Sequence, residues 1–178
     1  DGRGGLSRLP RPRHAGAAVS PTIREAHDSD ADGLIALIGA CWAEYDGCFL
    51  DVDGEVPELR AIARYFSERD GRFWVAEQDG RIVASAGYLP SPAGVELCKL
   101  YVDRSQRRRG LGRTLVEMVE AAAVAAGAAE VELWSDTRFL DAHRLYERCG
   151  YVRQAQTRSL ADISNTVEYH YAKRLIAP

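Results

Sequence analysis

Leu100-Tyr101-Val102-Asp103-Arg104-Ser105-Gln106-Arg107-Arg108-Arg109-Gly110-Leu111-Gly112-Arg113-Thr114 is the stretch whose reading decides the fold. An apolar strand ends at Val102, a polar, basic loop follows, and a helix begins near Gly110. Leu111, Leu115, Met118, Ala122 and Ala125, spaced 4, 3, 4 and 3, mark one face of that helix. Gly110 and Gly112 fall where loop becomes helix, so backbone N–H groups there can approach a ligand with no Cβ in the way. A helix start carries unpaired N–H groups and the positive end of the helix dipole, which suits an anion such as phosphate. Arg107, Arg108, Arg109 and Arg113 add charge beside it. A basic loop is ordinarily a solvated connector, but strand, basic loop, paired glycines and long helix together favour an anion site. A dinucleotide fingerprint is excluded because its third glycine would fall on Leu115, and a Walker loop because no Gly-Lys-Ser/Thr follows.

Working outward, Thr22–Ala26 reads as a short strand, and Asp28-Ser29-Asp30 offers caps for a helix carrying Leu34, Ile35, Leu37 and Ile38. Pro57 opens a second helix over about 57–68, with Leu59, Ile62, Ala63 and Phe66 as its apolar face. Phe73–Ala76 and Ile82–Ala86 flank Gln78-Asp79-Gly80, a hairpin signature, and Pro90, Pro92 and Gly94 make a turn before the strand Val95–Val102. Gly127 caps a helix over 110–126. Val131–Trp134 is the next strand, joined to 95–102 by a parallel crossover, and a helix over about 138–148 closes at Gly150. Strands near 151–157 and 166–174 complete a mixed α/β sheet of six to seven strands flanked by about four helices.

The loop motif Arg107-Arg108-Arg109-Gly110-Leu111-Gly112 resembles the Arg/Gln-x-x-Gly-x-Gly/Ala signature of the GNAT superfamily of N-acetyltransferases. Downstream, Ala142-His143-Arg144-Leu145-Tyr146-Glu147-Arg148-Cys149-Gly150-Tyr151 is similar to the family's A-x-x-L-Y-x-x-x-G-F/Y segment. The resemblance covers residues 20–175 in layout, with the motifs confined to 96–151. It implies a strongly twisted sheet splayed open between its fourth and fifth strands, with the pantetheine arm of acetyl-CoA in the opening. It further implies that Arg107, Arg108, Arg109, Gly110, Leu111, Gly112, Arg113 and Thr114 bind the pyrophosphate, and that Leu100, Tyr101 and Val102 offer backbone groups to the acetyl and pantetheine portions. Tyr146 is then the acid for the departing thiolate, with a packing tyrosine as the alternative. Glu96 matches the position of the basic glutamate in the histone branch, with a solvated strand residue as its alternative. The family often has Asn seven residues before the helix tyrosine; here Phe139 stands there, and Asp136 or Ser135 is the candidate substitute.

Acyl transfer from a thioester to an amine needs a neutral nucleophile, and an alkylamine of pKa ~10.4 is under about one part in a thousand neutral at pH 7. A general base such as Glu96 removes that handicap, a backbone N–H can stabilise the oxyanion, and a phenol of pKa ~10 can donate a proton at neutral pH. The reading is therefore an acetyl-CoA-dependent N-acetyltransferase acting on a small primary amine. The alternatives are a protein N-terminal or lysine acetyltransferase and a silent acyl-CoA-binding module. His143, three residues before Tyr146, is expected to be exposed, and His27 to lie at the surface. His170 and Tyr169 compete for the acceptor side of the last strand. Glu44, Asp46, Asp51, Asp53 and Glu55 put five acids in twelve residues with no Lys or Arg among them, beside Trp42, Tyr45 and Phe49. Such a loop could gather a cationic acceptor, or simply be solvated.

Length and composition bound the rest. At 178 residues and 46% hydrophobic, the chain can bury one substantial core, so residues 20–178 read as a single domain. Residues 1–19 hold four glycines, two prolines and four arginines with little apolar content, the composition of a flexible tail. Excluding them takes the net charge from -3 to about -6, which argues against a nucleic-acid partner. Cys41, Cys48, Cys98 and Cys149 form no CxxC pair or metal-ligand cluster, so no metal is expected and a reducing, cytoplasmic setting fits. No apolar run approaches the ~18–20 residues of a membrane span. A homodimer is compatible with the resemblance, although no seam is legible.

Overall fold

The computed structural model describes residues 20–175, so the expected tail over residues 1–19 lies outside the described residues. Seven strands form one sheet: β1 (Thr22–Glu25), β2 (Arg72–Gln78), β3 (Arg81–Ser91), β4 (Gly94–Val102), β5 (Glu130–Asp136), β6 (Val152–Ser159) and β7 (Val167–Arg174). Their order is β1-β2-β3-β4-β5-β7-β6, and only the β4–β5 pair is parallel. The α-helices are α1 (Ala31–Trp42), α2 (Ile62–Ser67), α3 (Leu111–Ala125) and α4 (Leu140–Arg148).

Local chemistry explains most of these boundaries. Asp79 and Gly80 both adopt positive φ, the conformation a two-residue hairpin turn of matching twist requires. Pro90 does not start the following turn, as the sequence suggested. It pairs with Val95 inside β3, beyond the end of β2, so its missing N–H costs no ladder bond. The second helix is split: residues Pro57–Ala61 form a 3-10 segment, and α2 begins only after Ala61, whose φ of -149° breaks the helix. On α3 the fully buried stripe is Leu115, Val116, Val119 and Ala123, about one residue round from the expected face, and Ala125 is exposed. Thr114 N donates to Gly110 O, so the left-handed Gly110 is the last residue before the helix.

Two cores sandwich the sheet. On one face α3 and α4 pack over Trp74, Ala86, Val95, Leu97, Val131, Leu133 and Tyr171. On the other, α1 and α2 bury Leu34, Ile38, Ile62 and Phe66 against Phe73 and Val75, with Cys98 and Tyr101 partly buried beside them. Odd and even residues of β4 would keep to opposite faces, yet Cys98 and Tyr101 share one because the chain bulges between them. Lys99 takes φ of 51° there, and Gly87 pairs with Cys98 while Ser85 pairs with Tyr101. A lysine in that region is strained, and two contacts hold it: Ser85 Oγ donates to Lys99 O at 2.8 Å, and Lys99 Nζ meets Glu58 at 2.7 Å.

Beyond the bulge the sheet opens. β4 and β5 pair only at Val95–Val131 and Glu96–Glu132, after which their facing edges separate, as the resemblance implied. Gly87, opposite the bulge, is fixed by crowding: a Cβ there would overlap the Phe73 ring and approach Arg72 O to 2.7 Å. Gly87→Ala is therefore expected to lose about 1–3 kcal/mol of stability in urea titration. An unchanged midpoint would contradict this packing.

Candidate functional site

The residues singled out from the sequence are distributed around the turn before α3 and the opening between β4 and β5, some of them turned away from that opening. On its β4 edge, Asp103 N donates to Val83 O, which makes Ala84 and Val102 a non-hydrogen-bonded pair. The N–H and C=O of Val102 consequently point away from β3, into the opening. Alternation turns the backbone groups of Tyr101 back towards Ser85, so Tyr101 does not present them to a ligand as expected; its hydroxyl instead accepts from Trp42 Nε1 at 2.9 Å. Leu100 follows the bulge, its side chain on the α3–α4 face.

The basic loop divides by role. Arg107 turns inward: its Nε donates to Val102 O at 2.9 Å, and its guanidinium pairs with Glu44 at 2.6 Å. That corrects its expected place among the free phosphate-facing cations, because it is spent tying the end of α1 to the end of β4. Arg113 pairs with Glu117 one turn on, and Thr114 Oγ1 donates to Gly110 O at 3.2 Å. Arg108 and Arg109 are exposed with no ion pair among the described residues. At the turn itself, a Cβ on Gly110 would meet nothing within 4 Å, and the N–H groups of Leu111, Gly112 and Arg113, the first of the helix, have no acceptor within it. Gly112 differs: a Cβ there would lie 3.0 Å from Leu145 and 3.5 Å from Val102, so it lets α3, α4 and β4 converge at the mouth of the opening. This cradle fits a pyrophosphate, with the opening below it continuing as a slot for an extended chain.

Tyr146 lies on the α3–α4 side of the sheet. Its ring packs against Tyr151 and Tyr171, with centroids 6.1 and 5.8 Å away, and burial pushes the phenol well above its ordinary pKa. Tyr101, Tyr171, Cys149 and Cys98 add to that shift. His143 was expected to be exposed; it is buried beside Tyr146, with Nε2 2.9 Å from Asp136 O, and burial lowers its pKa. A helix turn of three residues puts both side chains on the one face that α4 buries.

Glu96 lies on the other side of the sheet, at the last paired position before the strands part. Burial raises its carboxyl pKa; Arg158, 3.9 Å away, opposes that shift, and Glu132 and Glu168 reinforce it. Sequence reading missed most of this polar group. Glu132, Trp134 and Asp136 on β5 face the same way as His170 and Glu168 on β7, since Trp134 pairs with His170 and Asp136 with Glu168. His170 Nε2 lies 2.9 Å from Glu132, its ring stacks on Trp134 at 4.5 Å, and Arg158 sits 4.5 Å over the same indole. His170, not Tyr169, therefore shares the face of Glu132 and Trp134; Tyr169 lies on the other face against His143. The signal available in the sequence was the alternation of Glu132 and Trp134 with Val131 and Leu133, which put a glutamate on one face of a strand whose other face is buried.

The loop after α1 closes this face. Arg138 Nη1 donates to Gly47 O at 3.1 Å, Tyr45 packs on Phe139 at 4.7 Å, Ser164 Oγ accepts from Phe49 N at 2.8 Å, and Glu55 accepts from Ile163 N at 2.6 Å. Glu44 is paired with Arg107, Asp53 with Arg60, and Asp51 with the N–H of Gly54, so the acidic loop carries less free charge than its sequence implied. Asp136 is likewise taken: its carboxylate binds Arg138 N, Nε and Nη2, which leaves it unable to stand in for the family asparagine. Among the described residues no cluster of three metal-ligating side chains occurs, and no helix is long and apolar enough to cross a membrane.

Comparison with known proteins agrees with this geometry. The model of the acetyltransferase (GNAT) family matches residues 38–151. N-acetyltransferase 8 of Homo sapiens is 35% identical over 123 residues, 65% of this chain and 52% of that protein, so the chain spans about half the length of the curated relatives it matches. A GNAT-family acetyltransferase from Staphylococcus aureus Mu50 superposes with a TM-score of 0.76 at 21% identity, over 88% of this chain and 100% of its own. YncA of Salmonella typhimurium, solved with its cofactor acetyl-CoA, superposes at 0.67 and 15% identity, over 89% and 95%. At such identities these two structures establish the fold. With the family model covering most of the sheet and both motifs, the chain belongs to the GNAT acetyltransferase family.

Proposed function

We propose that this chain is an N-acetyltransferase that moves the acetyl group of acetyl-CoA to the primary amine of a small molecule by direct attack on the thioester. The observation that carries the reading is the opening at Glu96 and Glu132, which has a half-buried carboxylate on one face and a buried phenol on the other. When bound, acetyl-CoA supplies the activated acyl group. The N–H groups opening α3, with Arg108 and Arg109, hold its pyrophosphate, and the Val102 N–H lies along the pantetheine slot. Glu96 accepts a proton from the incoming amine, directly or through one water. The nitrogen lone pair forms the new C–N bond, the nitrogen's second proton passes to solvent, the C–S bond breaks, and Tyr146 gives its proton to the departing sulfur and regains one from solvent. Raising the phenol's pKa keeps it protonated, as a donor must be.

The closed loop favours a small acceptor over a peptide. Residues 43–56 are fastened to the start of α4 and to the β6–β7 turn, which walls the cleft that an extended chain would need to cross. Release of free thiol from acetyl-CoA, followed over a panel of alkylamines and N-terminal peptides, tests the choice. Acetylation of the peptides alone would replace the small-molecule reading, and no thiol release with any amine would leave an acyl-CoA-binding module.

Three variants check the assignments. Gly110→Val puts a branched side chain at φ of 86°, in the open cradle, and should weaken CoA binding at least about tenfold in calorimetry. Wild-type affinity in a folded protein would remove the phosphate site. Tyr146→Phe should lower kcat roughly 10²–10⁴-fold with little change in CoA affinity. Normal turnover where chemistry limits the rate would make Tyr146 a packing residue. The rate should rise with pH as Glu96 loses its proton, along a limb displaced above the ordinary carboxylate range, and Glu96→Gln should abolish that limb. A raised pKa means the folded state holds the proton more tightly, so Glu96 favours folding below its unfolded value and costs stability as pH rises. Glu96→Gln is thus expected to be no less stable at neutral pH, and a limb that survives it belongs to another group.

A further inference from the structure

Arg158 is placed unlike any other cation in the described part of the molecule. It lies on β6, directly opposite Glu168 of β7, and its Nε donates to the Glu168 carboxylate at 2.5 Å. Its guanidinium crosses the face of Trp134, with the central carbon 4.5 Å from the ring centroid, and its Nη2 stands 3.9 Å from Glu96. Glu168 is only 14% exposed, whereas Arg158 is 41% exposed on a strand whose outer edge is unpaired. The fixed parts are therefore the two carboxylates and the indole, each on a strand of the sheet interior, and the movable part is the arginine reaching in from the edge.

An aromatic face flanked by two carboxylates is the arrangement that recognises an alkylammonium ion, through the ring quadrupole and charge-assisted hydrogen bonds. An amine acceptor must come to Glu96 to surrender its proton, and it arrives protonated. The place it needs is the one the guanidinium fills. The glutamates beside Arg158 repel an anionic group of the acceptor, whereas a cation can take over their contacts. Displacement leaves Arg158 in solvent at the edge of β6, where a guanidinium is well hydrated.

We propose that Glu96, Glu168 and Trp134 form the acceptor's ammonium subsite and that Arg158 is its built-in occupant, displaced outward when a cationic amine binds. The proposal rests on the reading of the protein as an amine acetyltransferase and adds a specificity element to it. Arg158 sets a threshold that a cation must exceed, so neutral or anionic amines that cannot replace its contacts are disfavoured. Removing it should improve cation binding, which is the opposite of what a residue that grips substrate would give.

The test uses n-butylammonium chloride as probe and reads the indole N–H resonance of Trp134, assigned by its loss in Trp134→Phe. Arg158→Gln is expected to bind the probe about 5- to 10-fold more tightly than the wild type, the scale of one cation over an aromatic face. Arg158→Lys, which restores a cation, should return affinity towards the wild-type value, and Glu168→Gln added to Arg158→Gln should abolish the gain. Thermal melting of each variant confirms folding. Unchanged or weaker binding in folded Arg158→Gln overturns the proposal, as does a gain that survives Glu168→Gln. In turnover, KM for the same amine should fall in Arg158→Gln, and a rise in KM would mean that the guanidinium holds the acceptor. Because the binding measurement needs no acetyl transfer, failure of the thiol-release assay would sink the enzymatic reading while the probe still decides the role of Arg158.

Discussion

Everything proposed for this protein depends on two neighbouring strands failing to stay paired. β4 and β5 share a ladder for two residue pairs and then part, leaving main-chain groups of both strands without strand partners in the middle of a sheet. Unpaired backbone polar groups in a protein interior carry a cost of about 1–3 kcal/mol each, so such a gap persists only where the surroundings impose it. Several contacts do so. The bulge at Lys99 redirects the end of β4 and is pinned by Ser85 and Glu58. Arg107 satisfies the Val102 carbonyl and fastens it to Glu44. On the far side, Asp136 and Arg138 lock the end of β5 to Gly47 of the loop after α1.

The same contacts sort charge into two zones. Cations without ion pairs, Arg108 and Arg109, stand at the exposed turn before α3, where the first N–H groups of the helix add positive potential. Glu96, Glu132 and Glu168 collect on the opposite side of the opening, against one arginine and one histidine. On the function proposed above, a polyanionic cosubstrate and a cationic acceptor would be directed to different entrances. Arg107 stands apart from both zones: it is withdrawn into a pair with Glu44 and holds the Val102 carbonyl.

Much of the fold was legible because the signals were local. The hairpin at Asp79-Gly80, the helix start at Gly110 and the strand–helix alternation after Val95 each follow from φ preferences and apolar spacing over a few residues. The site was legible only in part. Gly110, Gly112, Glu96 and Tyr146 could be singled out through motif spacing, and the structure puts Glu96 at the last β4–β5 pair, Gly112 against Val102 and Leu145, and Tyr146 on the buried face of α4. Arg158, Glu168 and Trp134 come from three strands, and their convergence depends on the β5–β7–β6 order, which no local pattern encodes. His143 went astray for a related reason. Its helix face could be read, but its burial depends on Asp136 and Tyr169 lying opposite. The acidic loop misled in the same way, since Arg107 and Arg60, which neutralise two of its members, lie outside it in sequence.

The central claim is that acetyl-CoA lies along the β4 edge of the opening with its pyrophosphate on the first turn of α3. Amide chemical-shift mapping with CoA tests it most directly. Large shifts are expected at the N–H groups of Val102, Leu111, Gly112 and Arg113, with β1 and the Asp79-Gly80 hairpin unmoved. Shifts concentrated instead around the polar cleft of Arg24, Glu77 and Arg81, with the α3 amides silent, would contradict it.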